Sequence, residues 1–365
     1  MKCVINRSAL AEALGMVGTV AATRTPRPVL QCVKLSAGED GLVLSATDLQ
    51  VGIRCLVRQV ETEETGESLV AADKLAAIVR ESVDDTLALE GDDDALEVRG
   101  GDSLFRIYGR DPKEFPPVTE LTGKADLEIK AGVLATMINR TIYAVAKENT
   151  RYAINGILWE KLGNRLQLVA TDGRRLAQAV GAAELSVGDD RQLIMPAKTM
   201  SFLARNLADP SAVAKVKFEP SQCIIEYGDW TVGSVLVEGH FPKYEDVVPR
   251  DSDKTLEVER EALLSAVRRA ALLTTPESKG VRFAFADNTL TLSSRASEQG
   301  EATIRLALEY AHPPLDIGFN PQFLVDTLRV LDEDKVTVEL KEPNRPAVLR
   351  CGSDFLYVVM PVNLN

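Results

Sequence analysis

Leu168-Val169-Ala170-Thr171-Asp172-Gly173-Arg174-Arg175-Leu176-Ala177 is an alternating apolar strand that runs into a polar turn, and its surroundings recur on either side of it. Upstream stands Leu42-Val43-Leu44-Ser45-Ala46-Thr47-Asp48-Leu49-Gln50-Val51. Downstream, more degenerate, stands Thr289-Leu290-Thr291-Leu292-Ser293-Ser294-Arg295-Ala296. The flanks repeat in the same order. Lys2-Cys3-Val4-Ile5, Leu127-Glu128-Ile129-Lys130 and Leu256-Glu257-Val258-Glu259 each read as a short strand followed by apolar residues at helical spacing. The first of these helices can be capped by Asn6 or Ser8. The second carries Val133, Leu134, Met137, Ile138, Ile142 and Val145.

Val70-Ala71-Ala72-Asp73-Lys74, Ile194-Met195-Pro196-Ala197-Lys198 and Ile317-Gly318-Phe319-Asn320-Pro321 each end a strand and enter a second amphipathic helix. Alternating strands joined by hairpin-length turns follow in every copy. The copies close on Phe115-Pro116-Pro117-Val118, on Phe241-Pro242-Lys243-Tyr244, and on the terminal Met360-Pro361-Val362. Three copies of one plan place domains at 1–122, 126–251 and 254–365. With strands outnumbering helices, the fold class is α+β, antiparallel sheets carrying helices on one side.

Composition narrows the function. A chain of 365 residues exceeds the usual reach of a single core. No apolar run approaches the ~20 residues of a membrane span, and residues 1–7 lack a secretory signal, so the expected location is cytoplasmic. Five widely spaced cysteines fit packed thiols, and two distant histidines do not make a zinc cluster. No cofactor or metal is expected. Asp92-Asp93-Asp94 reads as a turn between strands. The net charge of −12 argues at first against nucleic acid, yet an acidic shell around a basic channel satisfies both the number and a DNA partner.

Arg140 and Lys147, like Lys198 and Arg205, stand seven apart and would share a helix face; Lys74 and Arg80 hold nearly the same register in the first copy. The third copy has Gln322, Arg329, Arg268 and Arg269 there. Nucleotide-binding, hydrolase and metalloprotease motifs are absent. Asp172 beside Arg174 and Arg175 can be read as an acid–base site in an interdomain cleft, making a nucleotide-processing enzyme the alternative function. A turn aspartate capping its own backbone is the more economical reading.

Ala170-Thr171-Asp172-Gly173-Arg174-Arg175-Leu176-Ala177, Gly239-His240-Phe241-Pro242-Lys243-Tyr244, Ile317-Gly318-Phe319-Asn320 and Tyr357-Val358-Val359-Met360-Pro361-Val362, in this order, resemble the bacterial beta sliding clamp family, the beta subunit of DNA polymerase III, across the whole chain. The resemblance implies a head-to-tail homodimeric ring of clamp domains, with helices facing a central hole and antiparallel sheets outside. Twelve helices at ~9–10 Å spacing would give a ring of axes roughly 35 Å across, wide enough for duplex DNA. It implies a processivity factor in DNA replication without a catalytic site, cytoplasmic and associated with the nucleoid. Its partners would be double-stranded DNA without sequence preference, the replicative DNA polymerase, the clamp loader, and other polymerases and repair proteins carrying clamp-binding motifs.

By the same resemblance, Arg24, Arg151 and Tyr152 contact DNA directly, and Lys74, Arg80, Lys198 and Arg205 line the channel. A pocket for partner peptides comprises Ile154, Thr171, Gly173, Arg174, Arg175, Leu176, Pro242, Val247, Asn320, Phe323, Val358, Met360, Pro361 and Val362, with Arg175 holding the peptide's polar part. The ring would close through Phe105 and Ile107 of one chain against Leu272 and Leu273 of the other. Ala153 stands where the family often has a second aromatic after Tyr152, so one base or sugar contact is not expected here; Asp246 and Ser278 also depart from the family pattern, which predicts a more acidic, less hydrophobic pocket rim.

Overall fold

The computed structural model describes residues 1–148, 152–275, 280–296 and 299–364. These fall into two compact units, Met1–Gly132 with Ala183–Gly188 and Arg205–Leu236, and Val133–Ala182 with Asp189–Ala204 and Val237–Asn365. The division runs through the second repeat. Six α-helices occur among the described residues, two per repeat: α1 (Arg7–Gly18), α2 (Ala72–Glu81), α3 (Ala131–Asn139), α4 (Ala197–Asn206), α5 (Arg260–Ala271) and α6 (Pro321–Leu328). Of the two candidate caps for α1, Asn6 serves: its side chain accepts from the Ala9 N–H at 3.0 Å. Asn320 does the same for α6, accepting from Gln322 N–H at 3.0 Å with Pro321 at the first helical position.

Helix α3 is shorter than its apolar spacing predicts. It stops at Asn139, and Ile142–Ala144 forms a separate 3-10 turn. The Thr141 hydroxyl donates back to the carbonyls of Met137 (2.9 Å) and Ile138 (3.2 Å), as a threonine does where a helix ends. Arg140 and Lys147 therefore share no helical face. Arg140 is instead buried, donating to Glu333 at 2.7 Å with its guanidinium 5.7 Å from the Phe355 ring centre.

In the first unit the strand Val51–Val57 pairs antiparallel with Trp230–Val235, Gly52 opposite Gly233, joining first-repeat and second-repeat strands into one fourteen-stranded sheet. The second unit repeats the device. Arg175–Ala182 pairs with Phe355–Val359, Leu176 opposite Val358, inside an eight-stranded sheet. In each case the fourth long strand of one repeat meets the last strand of the next. A separate four-stranded sheet has Gly300–Ala307 as an outer strand.

Residues two apart on a strand share a face, and one face of the eight-stranded sheet collects Leu158, Val169, Leu176, Ile194, Val348, Leu356 and Val358. Over it lie Ala153 and Tyr244, with Val237, Phe241 and Val248 packed against the cluster. The segment 237–248 is thus a strap across an apolar sheet face. All five cysteines are buried.

Candidate functional site

The Thr171–Arg175 turn is built from its own side chains. Thr171 Oγ1 donates to the Arg175 carbonyl (2.7 Å) and accepts from Gly173 N–H (3.1 Å); Asp172 Oδ1 accepts from the N–H groups of Arg174 (2.9 Å) and Arg175 (3.1 Å). The first repeat reproduces it atom for atom. Thr47 Oγ1 donates to Val51 O (3.0 Å) and accepts from Leu49 N–H (3.0 Å), while Asp48 Oδ1 accepts from Gln50 (3.0 Å) and Val51 (2.7 Å). Both turns need a left-handed third residue, φ +84° at Gly173 and +75° at Leu49. Glycine takes that conformation without strain; leucine does not. A Thr-Asp pair that makes the same bonds at the matching turn of another repeat, where no arginines follow it, is a turn-forming device, so Asp172 has a structural employment and the acid–base reading loses its footing.

Arg175 is tied into the fold. Its side chain is only 9 % exposed and its donors are engaged: Nε to Asp172 Oδ2 at 3.0 Å, Nη1 to Asp326 Oδ2 at 2.7 Å and Nη2 to the Tyr143 carbonyl at 2.6 Å. The guanidinium also lies 4.5 Å from the Phe323 ring centre. Burial works against its charge, but the hydrogen bond to Asp326 and the surrounding negative charge prevail, and the proton is held more tightly than usual. Arg175 is a clasp between the turn, the Ile142–Ala144 turn and α6, each of its three nitrogens giving a hydrogen bond to the fold. Two tyrosines brace the same corner. Tyr143 donates to Thr327 Oγ1 (2.8 Å) and Tyr357 to the Phe323 carbonyl (2.9 Å); burial pushes both hydroxyls up, so they stay neutral donors.

Around the clasp the expected pocket residues divide into floor and rim. Ile154, Thr171, Leu176 and Val358 are buried, and Leu176 and Val358 belong to the apolar cluster under the strap. Gly173 and Arg174 are exposed, as are Val247 (53 %) and Met360 (42 %); Pro242, Asn320, Phe323, Pro361 and Val362 are half-buried. The C-terminal tail is tied in by two backbone bonds, Met360 N–H to Arg174 O at 2.9 Å and Val362 N–H to Gly318 O at 2.8 Å. Leu364 lies against Gly318, where a Cβ would come within 2.6 Å of its Cγ, so the tail can approach only because no side chain is there. Asp246 is exposed next to Val247; Ser278 lies outside the described residues.

Arg24 is exposed in the loop after α1, Lys74 and Arg80 on α2, Lys198 and Arg205 on α4, and Tyr152 is 42 % exposed; Arg151 lies outside the described residues. At the expected closure edge the four named residues differ in exposure. Ile107 is a core residue at 8 % exposure, whereas Phe105 (40 %), Leu104 (58 %) and Tyr108 (83 %) are open to solvent. Strand alternation cannot distinguish an apolar residue facing a core from one facing a partner. Leu272 is 76 % exposed, and Leu273 sits 3.7 Å from where a Cβ on Gly300 would stand.

Family models for the N-terminal, central and C-terminal domains of the DNA polymerase III beta subunit match residues 1–119, 128–243 and 245–363. The chain belongs to the DNA polymerase III beta-subunit family. It is 35 % identical over 367 residues to the beta sliding clamp of Pseudomonas putida, covering all of both chains. A crystal structure of the beta subunit from Pseudomonas aeruginosa superposes at a TM-score of 0.94 with 34 % identity and full coverage of both chains. Another, at 0.94 and 33 %, is of the Pseudomonas aeruginosa sliding clamp bound to griselimycin, again with full coverage of both. The function is that of the family, a DNA sliding clamp and processivity subunit that is not itself catalytic.

Sequence reasoning missed Asp326 and Tyr143 as partners of this clamp's clasp. The hydrogen bonds concerned span 151 and 32 residues. No spacing rule connects side chains so far apart. The Thr-Asp repeat at 47–48 and 171–172 was the only signal for the turn itself.

Proposed function

We propose that two copies of this chain close head to tail into a ring around duplex DNA, and that polymerase, clamp loader and repair proteins dock short peptides at the rim formed by Gly173, Arg174, Pro242, Val247, Met360 and Pro361. The observation that supports the ring is the strand left over. Two junctions between successive repeats pair a fourth long strand with a last strand. The third such fourth strand, Gly300–Ala307, pairs only with Thr289–Ala296 among the described residues. The last strand of the first repeat, Leu104–Arg110, pairs with Ala95–Arg99, and beyond that only Gly109 and Arg110 pair with Val70 and Leu69. The edge at 104–108 is open and apolar, the kind of edge a monomer avoids. The register carried over from the closed junctions puts Phe105 of one chain opposite Thr303 of the other, near Leu272 and Leu273.

Inside the ring, Arg24, Tyr152, Lys74, Arg80, Lys198 and Arg205, with Arg151, would touch phosphates or sugar. Such contacts are independent of sequence and exchange readily, which lets a tether slide. Domain limits of 1–122, 126–251 and 254–365 suit this plan. Arg175 acts here as support for the pocket rather than as a hand in it, and exposed Asp246 makes the rim less welcoming to acidic motifs. Griselimycin is bound by the Pseudomonas aeruginosa clamp, and we propose it as a ligand of this chain too, with the rim as its site. No helix among the described residues is long and apolar enough to cross a membrane. The deciding experiment is to load the protein onto nicked circular DNA with a clamp loader and then linearise the circle. A sliding ring runs off the ends; retention on the linear DNA overturns the proposal.

A further inference from the structure

Glu160 is a carboxylate buried to 3 % exposure, and its described partners are three neutral donors. Oε2 accepts from the Tyr244 hydroxyl (2.6 Å) and from Gln167 Nε2 (2.6 Å), and Oε1 from Gln192 Nε2 (2.5 Å). Gln167 Nε2 also reaches the Tyr244 oxygen at 2.6 Å, and its own Oε1 accepts from Gln178 Nε2 at 2.7 Å. Glu160 stands opposite Gln167 on one neighbouring strand and opposite Gln192 on the other, so the network crosses the sheet as a polar row. That row lies on the face that otherwise carries Leu158, Val169, Leu176 and Ile194. An acceptor-only group in an apolar face is costly unless every donor is in place, and the row is directional: each amide is turned so that its nitrogen points along the chain of acceptors toward Glu160.

Tyr244 is the single contribution from outside the sheet. Its ring joins the apolar cluster and meets Phe241 edge-on at 6.4 Å, while its hydroxyl ends on the buried carboxylate. Burial and Glu160 both push that hydroxyl up, so it remains a donor at any accessible pH. Backbone bonds tie the start of the strap, Val237 N–H to Ile194 O at 2.9 Å and Ala153 N–H to the His240 carbonyl at 3.2 Å, whereas over 241–248 apolar packing alone is non-directional and would let it slide on the sheet. A charge-assisted bond at a fixed point does not.

We infer that the Tyr244–Glu160 bond is a pin that sets the register of the strap 237–248, and through it the positions of Pro242 and Val247 at the docking rim. Tyr244 and Glu160 are positioning residues for ligand binding, reached through the strap and touching no ligand. The inference rests on the rim being the docking site, and the experiment separates the two.

Tyr244→Phe, Glu160→Leu and Glu160→Gln are compared with the unaltered full-length protein by hydrogen–deuterium exchange and by griselimycin affinity, with Met360→Asp as the control for the rim. Tyr244→Phe and Glu160→Leu are expected to speed exchange in 241–248 selectively and to weaken griselimycin by about fivefold or more, the loss of roughly 1 kcal/mol from a misplaced wall. Glu160→Gln, which removes the charge and turns an NH2 toward the donors of Gln167 or Gln192, is expected to fall between the parent and Glu160→Leu in both readouts. Unchanged exchange in 241–248 for Tyr244→Phe overturns the pin whatever griselimycin does. Faster exchange with affinity within twofold, while Met360→Asp abolishes binding, overturns the link from pin to rim. Binding that Met360→Asp leaves intact overturns the docking reading and leaves the pin to stand on exchange.

Discussion

Arg175→Met tests the clasp at its centre, because methionine keeps the apolar stem and deletes only the fork. Two ion pairs and a hydrogen bond to a carbonyl disappear, from a side chain 9 % exposed to partners about 20 % exposed (20 % for Asp172, 21 % for Asp326). Removing one side of such a buried arrangement costs about 3–5 kcal/mol, most of it from charges left without a partner. The carboxylates are not wholly abandoned. Asp172 keeps the N–H groups of Arg174 and Arg175, and Asp326 keeps Gln322 Nε2 at 2.6 Å, which places the expected loss at the lower end, about 3 kcal/mol. For a cooperative unit of 150–250 residues this lowers the melting temperature by roughly 6–12 °C. Differential scanning calorimetry at neutral pH reads it directly. Arg175→Lys, which keeps the charge but not the planar fork, should recover less than half of the loss. A melting temperature for Arg175→Met within about 2 °C of the parent would refute the clasp and return Arg175 to the expected role of peptide ligand.

The left-handed residue of the two Thr-Asp turns gives a paired prediction: Leu49→Gly should stabilise by up to about 1 kcal/mol in urea denaturation, the relief of left-handed strain less the entropy of glycine. Gly173→Leu should cost about 1–2 kcal/mol, and through conformation alone, since nothing lies within 4 Å of a Cβ built there. Burial pushes the Glu333 carboxyl up, but backbone N–H groups and Arg140 outweigh it and hold the group below its usual 4.5. A depressed carboxylate contributes stability that is complete above pH 4.5 and lost as the pH falls through the lower folded value, so Glu333→Gln should melt below the parent at pH 7 and converge with it in acid. Burial likewise raises the thiols, Cys3, Cys55 and Cys351 each to about 11. A chromogenic disulfide reagent at pH 8 should therefore find almost no thiol in the native protein and all five after denaturation.

The repeat was legible because its parts are local. Period-2 strands, the cap at Asn6 and the Thr-Asp turn all join residues within a few positions of one another, and local rules read them. α3 was overread for the opposite reason: the apolar spacing continues through Ile142 and Val145, while what stops the helix is Thr141 turning back on it and Arg140 leaving for Glu333. Periodicity counts apolar positions and is blind to a polar side chain with a distant partner.

The same division explains the site. Sequence by itself determined that three copies of one α+β plan lie in tandem, that the Thr-Asp turns recur, and that cations stand on α2 and α4. The residues proposed for the docking rim came from the resemblance of four short stretches to the family, not from any local rule. Only the tertiary structure decided that Arg175 is spent on Asp326 and Tyr143, that Ile107 faces a core while Leu104 and Tyr108 face out, and that Tyr244 ends on Glu160. Each of those depends on which surface folds onto which, and a buried charge takes its partner from wherever the chain returns, at a separation no sequence period records.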